Sequence, residues 1–297
     1  MSPERKTTEY HTPERNTGAA GSLPSGPDPL APISSEEAAA WRQLLALRRA
    51  RNDNGSVAVA GLSGASPAAA RLFDLYLPLC APGARPPVIG HLGQSLDGKI
   101  ATGCGHSRFI NGTANILHLH RLRALVDGIV VGAGTVAADD PQLTVRLCEG
   151  PCPTRIVIDT DRRLRDSHRL FSDGAAPTLV ACAHDALRPE ETHLGRAELI
   201  GVKRDGERID IRALLAILAG RGLRSLLVEG GGVTVSRFLA AGALTRLQIT
   251  VAPVIIGSGR PGLTLPEIAR MDEALRPPVR RFELGNDVLF ECDFERP

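Results

Sequence analysis

Ser95-Leu96-Asp97-Gly98-Lys99-Ile100-Ala101 is the stretch of this chain that decides the fold. It follows a short apolar run at residues 88–93, which predicts a β-strand that ends in a polar turn. In an open α/β sheet, ligands bind beyond the carboxyl ends of the strands. The turn is therefore predicted to lie at the edge of the sheet where a ligand binds.

Three further stretches break the chain in the same way after apolar runs. They are Gly132-Ala133-Gly134-Thr135, Ala138-Asp139-Asp140-Pro141 and Glu229-Gly230-Gly231-Gly232. Glycine lets the backbone approach a ligand closely, and a helix N-terminus offers free N–H groups to a phosphate. Neither glycine run is a complete G-x-G-x-x-G fingerprint or a P-loop, so each run alone has a tight turn without a ligand as its alternative. Together, the breaks predict one shared site that favours a dinucleotide or another phosphate ligand.

Strands alternate with helices along the rest of the chain. Apolar residues at helical spacing predict helices at residues 112–125, 210–220 and 233–241. Apolar, β-branched runs predict strands at residues 88–93, 128–132, 155–159, 177–181, 225–229, 247–256 and 288–293. This alternation predicts an α/β fold, in which a mostly parallel sheet has helices on both faces and the late strands add an antiparallel edge.

Composition excludes several classes of partner. Of the 297 residues, 43% are hydrophobic and 3% aromatic, and the formal net charge is +2. A balanced charge gives no field for nucleic acid or an anionic membrane, and few aromatics leave little for base stacking. The longest apolar runs are strand-sized, so no transmembrane helix is predicted. The expected partner is a small molecule.

The chain divides into three parts by composition. Residues 1–32 are rich in Pro, Ser, Gly, Thr and charge, which predicts a disordered tail. Residues 33–87 are predicted to be a helical extension and linker, with helices from residue 34 or 35 to about 51 and over 67–77. We expect this extension to pack on the rest of the chain or on a dimer partner. Residues 88–297 form the predicted α/β domain.

The cysteines predict neither a disulfide framework nor a metal site. Six of them are scattered along the chain, and their spacings match no zinc motif. The H-x-E and P-C-x-x-C signature of a zinc deaminase is missing as well. The N-terminus has no apolar segment typical of a signal peptide. We therefore expect reduced thiols in a cytoplasmic protein that holds no metal.

Several polar residues each allow two interpretations, one functional and one structural. Asp139 is predicted either to bind substrate hydroxyls or handle a proton, or to be a solvated loop acid or helix cap. Ser107 is either a phosphate donor or a turn serine, and His91, inside a strand, is most simply a satisfied core histidine. Arg121 and Arg123 are two apart on a helix, so one is expected to face the site and the other to be a surface charge.

From residue 88 onward, the chain resembles the pyrimidine reductase family of riboflavin biosynthesis. This is the reductase half of a bifunctional deaminase–reductase, with a dihydrofolate-reductase-like fold, here without the deaminase domain. The resemblance is carried by the stretches quoted above, by the helix with Arg121 and Arg123, and by Ser107-Arg108-Phe109-Ile110, Gln142-Leu143-Thr144-Val145-Arg146, Arg155-Ile156-Val157-Ile158-Asp159 and Pro253-Val254-Ile255-Ile256-Gly257.

The resemblance implies an NADPH-dependent oxidoreductase that forms a homodimer. It transfers a hydride to the ribose C1′ of 5-amino-6-(5-phosphoribosylamino)uracil or a related pyrimidine. By position, Asp139 is the catalytic residue beside the reacting carbon. The substrate-binding residues that the resemblance implies are His91, Ser107, Asn111, Arg123, Leu143, Arg146 and Glu229. The cofactor-binding residues that it implies are Gly132, Thr135, Thr160, Arg162, Gly230, Gly231 and Gly232.

Two departures from the family pattern bear on the substrate. His91 stands where many members carry lysine, and Asn111 where many carry threonine. A histidine is mostly neutral at pH 7, so a fixed cation is lost. One alternative is therefore a reductase of the same fold that acts on a different pterin-like or pyrimidine-like substrate in secondary metabolism. The other alternative is a non-catalytic nucleotide-binding or scaffold protein, which a failure to bind NADPH would favour.

Overall fold

The structure is a computed structural model that describes residues 34–52, 66–80, 87–108 and 110–295. The predicted tail at residues 1–32 lies outside the described residues. The helices are α1 Ser35–Asn52, α2 Pro67–Cys80, α3 Thr113–Leu125, α4 Ala133–Asp139, α5 Arg169–Ser172, α6 Ile211–Gly220 and α7 Gly232–Ala240. No helix in these ranges is both long and apolar enough to cross a membrane.

Most of the strands belong to one large sheet. In chain order they are β1 Val88–Ser95, β2 Lys99–Thr102, β3 Gly128–Gly132, β4 Thr154–Ile158, β5 Thr178–Ala183, β6 His193–Leu194, β7 Ala197–Val202, β8 Arg204–Asp205, β9 Arg208–Ile209, β10 Leu226–Val228, β11 Arg246–Ala252, β12 Gly259–Pro261, β13 Val279–Leu284 and β14 Asp287–Asp293. The large sheet has ten strands in the order β13-β14-β11-β1-β10-β3-β4-β5-β7-β6, while β12 pairs with β2 and β8 with β9.

The sheet is parallel in its centre and antiparallel at its edges. All neighbouring pairs from β11 through β1, β10, β3, β4 and β5 to β7 are parallel. At one edge β14 and β13 run antiparallel, and at the other edge β6 does. The predicted mostly parallel sheet with an antiparallel edge from the late strands is therefore confirmed.

Helices cover both faces of the sheet, as predicted. One face is closed by α6 and α7, whose Leu214, Leu218 and Phe238 are buried in one apolar cluster. The other face is closed by α1 to α5 around a second cluster. Because parallel strands are buried on both sides, their sequences read as continuous apolar runs, which is the signal that predicted them.

The two N-terminal helices share the core of the α/β domain. Trp41 and Leu44 of α1 and Tyr76 and Leu79 of α2 are buried in the same cluster as Leu122 of α3. Burying one large apolar side chain stabilises a fold by about 1.5–3 kcal/mol. The helix pair therefore contributes several side chains to the stability of the sheet layer on which it packs.

The stretch that follows β1 joins two loops. The hydroxyl of Ser95 donates to the Asp97 carboxylate at 2.6 Å. That carboxylate also accepts the N–H groups of Ile256 and Gly257, at 3.1 and 2.7 Å. These hydrogen bonds, first that of Ser95 and then that of Ile256, lower the pKa of Asp97 to about 2. The Asp97 carboxylate thus holds the loop after β11 against the carboxyl end of β1.

Two strand predictions need correction. The strand predicted over residues 247–256 ends at Ala252, because the chain turns there and residues 253–256 are bound by the Asp97 loop instead of a sheet neighbour. The edge strand β13 and the parallel strand β7 were not predicted.

Candidate active site

The candidate site lies at the carboxyl ends of three adjacent strands. β10 lies between β1 and β3, with Val228 paired with both Gly90 and Val130. The residues that follow β3 and β10 therefore lie next to each other at the carboxyl-terminal end of the sheet, as the order of the glycine runs predicted.

The glycine runs form one structure, which we call the glycine cradle: Gly132, Thr135, Gly230, Gly231 and Gly232. The N–H of Gly231 donates to the Thr135 hydroxyl at 3.0 Å. Gly230 has a φ of 98°, a conformation that residues with a Cβ rarely adopt, and a Cβ there would lie 2.6 Å from the same hydroxyl. The five predicted residues of the glycine cradle are thus brought together in space.

The glycine cradle opens onto helix N-termini. Gly231 precedes α7 and Gly132 precedes α4, and neither helix has a side-chain cap. The first N–H groups of a helix have no partner within the helix and attract anions. Glycine backbone close to free N–H groups fits the pyrophosphate of a nicotinamide dinucleotide.

Glu229, directly before the cradle, is paired with Arg123. The guanidinium Nη2 of Arg123 lies 2.8 Å from Glu229 Oε1, and its Nη1 donates to the carbonyl of Thr144 at 3.2 Å. The side chains are only 11% and 8% exposed. Both were predicted to contact substrate, and the structure shows that they hold each other and the loop after α4.

Arg146 belongs to a group of basic side chains that we call the arginine cluster: Arg123, Arg146 and Arg169. Its guanidinium donates to the Thr144 hydroxyl at 2.6 Å, and in the described part of the chain it has no carboxylate partner. Burial, and then the charges of Arg123 and Arg169, lower the pKa of Arg146. An arginine with free donors beside like charges is suited to a phosphate dianion.

His120 supports the backbone of Arg146, and the sequence did not predict this role. Its Nδ1 accepts the backbone N–H of Arg146 at 2.9 Å, and its side chain is buried. Burial, followed by the charges of Arg123 and Arg146, lowers the pKa of His120 to about 4. It is therefore a neutral acceptor at pH 7. The sequence showed only His118 and His120 two apart on a helix, which carries no signal for a contact with a distant loop.

Asp139 and Leu143 lie on the loop between the glycine cradle and the arginine cluster. Asp139 ends α4 with an exposed carboxylate, whereas Leu143 is buried in the core. Asp140 and Leu143 have φ values of 39° and 54°, which are uncommon for residues with a Cβ. Asp140 is the left-handed C-cap of α4. Strained backbone of this kind occurs at functional sites.

His91 and Asn111 lie between β1, β11 and α3. His91 is buried, and its Nε2 lies 3.2 Å from Asn115 Oδ1, which also accepts the Thr250 hydroxyl at 2.8 Å. Burial, and then His118, lower the pKa of His91 to about 3. Asn111 donates to the carbonyl of Thr250 at 3.3 Å. His91 is thus the neutral, hydrogen-bonded core histidine of the simpler interpretation.

Three predicted residues lie in turns away from these contacts. Ser107 is exposed in the loop after β2. The carbonyl of Thr160, in the turn after β4, accepts the N–H of Ala183. Arg162 has a φ of 55°, and its guanidinium is paired with Glu191. A phosphate at this turn would therefore have to share Arg162 with Glu191.

Arg121 is not the surface charge that was expected. Its guanidinium carbon lies 5.8 Å from the centre of the Trp41 ring, and its Nε is buried with no hydrogen-bond partner among the described residues. Arg121 and Arg123 do point to different sides of α3, as their spacing required. The side of Arg121 is covered by the N-terminal helices, which the sequence could not show.

The parallel sheet thus presents backbone N–H groups and arginine side chains at the carboxyl ends of its strands, where α/β proteins bind their ligands. The chain belongs to the RibD C-terminal domain family, which it matches over residues 86–281. The family resemblance drawn from the sequence is therefore confirmed. In the described residues, no group of three or more His, Cys, Asp or Glu side chains is placed to hold a metal ion.

Similar proteins are reductases of riboflavin biosynthesis. The 2,5-diamino-6-ribosylamino-4(3H)-pyrimidinone 5′-phosphate reductase of Methanothermobacter thermautotrophicus is 36% identical over 214 residues, which are 70% of this chain and 97% of the relative. The reductase of that name from Archaeoglobus fulgidus is 35% identical over 183 residues, 58% of this chain and 83% of the relative. The solved structure of Acinetobacter baumannii RibD superimposes with a TM-score of 0.61 at 25% identity, covering 76% of this chain and 62% of that chain.

Proposed function

We propose that this protein is an NADPH-dependent reductase of riboflavin biosynthesis. It would transfer a hydride to the ribose C1′ of 5-amino-6-(5-phosphoribosylamino)uracil or of the 2,5-diamino pyrimidinone for which its archaeal relatives are named. The observation that carries the proposal is a continuous line of contacts. Glu229 joins the glycine cradle to Arg123, and Thr144 joins Arg123 to Arg146.

Each part of the line has a role in this reaction. NADPH, when bound, supplies the hydride, so the protein needs no strong nucleophile and base. The N–H groups at the start of α7, beside the glycine cradle, would hold the cofactor pyrophosphate, and the remaining donors of Arg146 would hold the substrate phosphate. Asp139, exposed between them, binds the ribose hydroxyls beside the reacting carbon. Orienting donor and acceptor is the main contribution of the protein.

The test is NADPH oxidation, followed by absorbance, with each of the two pyrimidines. Asp139→Asn keeps the size of the side chain and removes its charge, so turnover is expected to fall by about 10²-fold if Asp139 contacts the reacting group. Asp166→Asn, at an exposed acid in the loop before α5, is the control and is expected to keep wild-type turnover. NADPH binding without turnover on either pyrimidine would contradict the proposed substrates.

One observation favours a second candidate, a reductase of the same fold with another pterin-like or pyrimidine-like substrate. His91 is neutral and buried, so it supplies no cation to the site. The same assay with a panel of phosphorylated and unphosphorylated pterins decides between the two. Faster turnover on a pterin than on either pyrimidine would establish the second candidate.

We also propose a homodimer that uses the loops between β11 and β13. Apolar side chains there are exposed to solvent, namely Val254, Ile255, Ile268, Met271 and Leu275. Grouped exposed apolar residues mark interaction surfaces in proteins of this size. Light scattering on the full chain is expected to give twice the monomer mass, and Ile255→Asp to shift it toward the monomer. A monomeric wild type at micromolar concentration would contradict the dimer.

A further inference from the structure

A line of buried hydrogen bonds crosses the core from α2 to β14. The Tyr76 hydroxyl lies 2.7 Å from Nδ1 of His118, and Nε2 of His118 lies 2.8 Å from Oε1 of Gln248. The side-chain amide nitrogen of Gln248 donates to Glu291 Oε2 at 2.8 Å. All four side chains are buried. This line connects three elements of the α/β domain to the N-terminal helix α2.

The direction of every hydrogen bond in the line is fixed. Arg246 and Arg280 both contact Glu291, so its carboxylate is an acceptor, and Gln248 must turn its NH₂ toward it. The Gln248 carbonyl then faces His118, whose Nε2 must carry the proton. Burial lowers the pKa of His118 to about 4, so the ring is neutral and its Nδ1 is an acceptor. Gln248 therefore sets the Nε2–H tautomer of His118, and the Tyr76 hydroxyl is the donor to its Nδ1.

The line closes on itself through Arg280. Its Nη2 lies 2.6 Å from Glu291, while its Nη1 donates to the carbonyl and the carboxylate of Asp74 at 2.8 and 2.9 Å. Asp74 and Tyr76 are both on α2. α2 therefore contacts the line of hydrogen bonds at both of its ends, through Tyr76 and through Asp74. A helix that only covers apolar residues would make no such polar contacts.

The helix that carries His118 also carries the supports of the proposed substrate site. On α3, His120 accepts the backbone N–H of Arg146, and Arg123 is paired with Glu229. A shift of α3 relative to β11 would move both supports together. The apolar side chains Leu122 and Leu125 bury α3 against the sheet, and His118 adds the polar contacts that join α3 to Gln248 and Tyr76.

We propose that Tyr76 is a positioning residue for the substrate site. Its hydroxyl donates to Nδ1 of His118 and thereby anchors α3 to α2, and the positions of Arg123 and Arg146 depend on α3. Tyr76 precedes residues 86–281, the range that matches the family, so the N-terminal helices of this chain supply a part that the matched domain does not contain. The kinetic consequence rests on the proposed function, whereas the structural consequence does not.

The test is Tyr76→Phe in the full chain, which removes the hydroxyl and keeps the ring. In histidine ¹⁵N spectra, the Nδ1 signal of His118 is expected to shift toward that of an acceptor without a hydrogen bond, while Nε2 stays protonated. The kcat/KM for the pyrimidine is expected to fall about tenfold, through a higher KM, because Arg123 and Arg146 are held less firmly in the binding geometry; tenfold corresponds to about 1.4 kcal/mol. The dissociation constant for NADPH is expected to stay within about twofold.

Trp41→Phe is the matched control. It removes the hydrogen bond from the Trp41 indole N–H to the carbonyl of Glu149 at 2.9 Å, which is not part of the line. It keeps an aromatic ring at position 41, where the ring centre of Trp41 lies 5.7 Å from that of Tyr76. It is expected to lower the melting temperature like Tyr76→Phe, yet to leave the His118 spectrum and the KM unchanged. Equal effects of the two variants on KM would show a merely structural role and overturn the proposal.

Failure of the inference and failure of the proposed function are distinguishable. If wild-type protein reduces no pyrimidine, the proposed function is wrong, and titration with inorganic phosphate then replaces the kinetic readout. Tyr76→Phe is expected to weaken phosphate binding several-fold relative to Trp41→Phe. An unchanged His118 spectrum in Tyr76→Phe overturns the inference in either case, as does unchanged phosphate affinity.

Discussion

At the scale of single residues, the site is held together by charges that contact each other. The Arg123–Glu229 pair is nearly buried, so each charge depends on the other for its stability. Breaking such a pair by removing one partner is costly, because the remaining charge stays buried without compensation. The pair is therefore part of the fold as well as of the site.

Glu229→Gln is predicted to lower the free energy of unfolding by about 2–4 kcal/mol, because Arg123 loses its carboxylate and keeps only a neutral acceptor. Urea denaturation measures this. The control is Glu198→Gln, which affects an exposed pair with Arg221 whose side chains are 43% and 40% exposed. Exposed pairs contribute about 0–1 kcal/mol, so equal losses in the two variants would contradict the account.

Arg146→Ala is predicted to raise the KM for the pyrimidine 5′-phosphate by about 10²-fold, because a charge-assisted pair of hydrogen bonds is lost. Arg146→Lys restores only part of the affinity, since an ammonium cannot form the paired contact. The decisive comparison is the substrate without its phosphate, for which wild type and Arg146→Ala should have the same KM. A variant that weakens both substrates equally would place Arg146 elsewhere than on the phosphate.

The sequence predicted residues of the site that carry a local signal and missed those that do not. A glycine run after a strand is a local signal, and it located Gly230 and Gly231 correctly beside Thr135. His120 supports Arg146 across a sequence separation of 26 residues. Only the tertiary fold creates that contact, so no spacing rule could have shown it.

At the scale of elements, the turn after β1 is joined by hydrogen bonds to the loop after β11. The ionised Asp97 carboxylate is the shared acceptor, and its pKa is lowered to about 2 in the folded protein. A group whose pKa is lower in the folded state stabilises the fold above its unfolded pKa, near 4. That contribution is lost as the pH falls from about 4 toward 2.

Asp97→Asn is therefore predicted to be less stable than wild type at pH 6, with a difference that shrinks at pH 3. Urea unfolding of both proteins at the two pH values measures this. The direction follows because at pH 3 the wild-type carboxylate is already losing its advantage over the unfolded chain. A difference that stays constant between pH 6 and pH 3 would contradict the role of the ionised carboxylate.

Strands with continuous apolar sequences were predictable, and strands interrupted by charged residues or glycine were not. The central strands are apolar throughout because both of their faces are covered, so their sequences alone locate them. β13, Val279–Leu284, alternates exposed and half-buried residues around two arginines, and β7, Ala197–Val202, contains Glu198 and Gly201. Their strand pairing comes from their neighbours in the sheet, which a propensity argument does not include.

At the scale of the whole molecule, the N-terminal helices and the α/β domain have one core. Trp41, Leu44 and Tyr76 are almost completely buried against α3. The total stability of a domain is about 5–15 kcal/mol, and each of these side chains contributes about 1.5–3 kcal/mol. We therefore predict that the matched family domain is markedly less stable without the N-terminal helices.

Deletion of residues 1–80 is predicted to abolish cooperative unfolding or to lower the melting temperature by more than 10 °C. Since 1 kcal/mol shifts the melting temperature by about 3–4 °C in a domain of this size, this corresponds to a loss of roughly 3 kcal/mol in the free energy of unfolding. Calorimetry measures the transition. A shorter deletion of residues 1–33, which leaves both helices in place, is the control. An unchanged melting temperature after the longer deletion would contradict the shared core.

The measurement that tests the central claim most directly follows the hydride itself. The protein is mixed with 5-amino-6-(5-phosphoribosylamino)uracil, or its 2,5-diamino relative, and NADPH that carries deuterium at the transferable position. We predict one equivalent of NADPH oxidised per product, with a single deuterium at C1′ of the ribityl chain, seen by NMR and mass spectrometry. NADPH bound to the protein but never oxidised, or deuterium at any other carbon, would contradict the account.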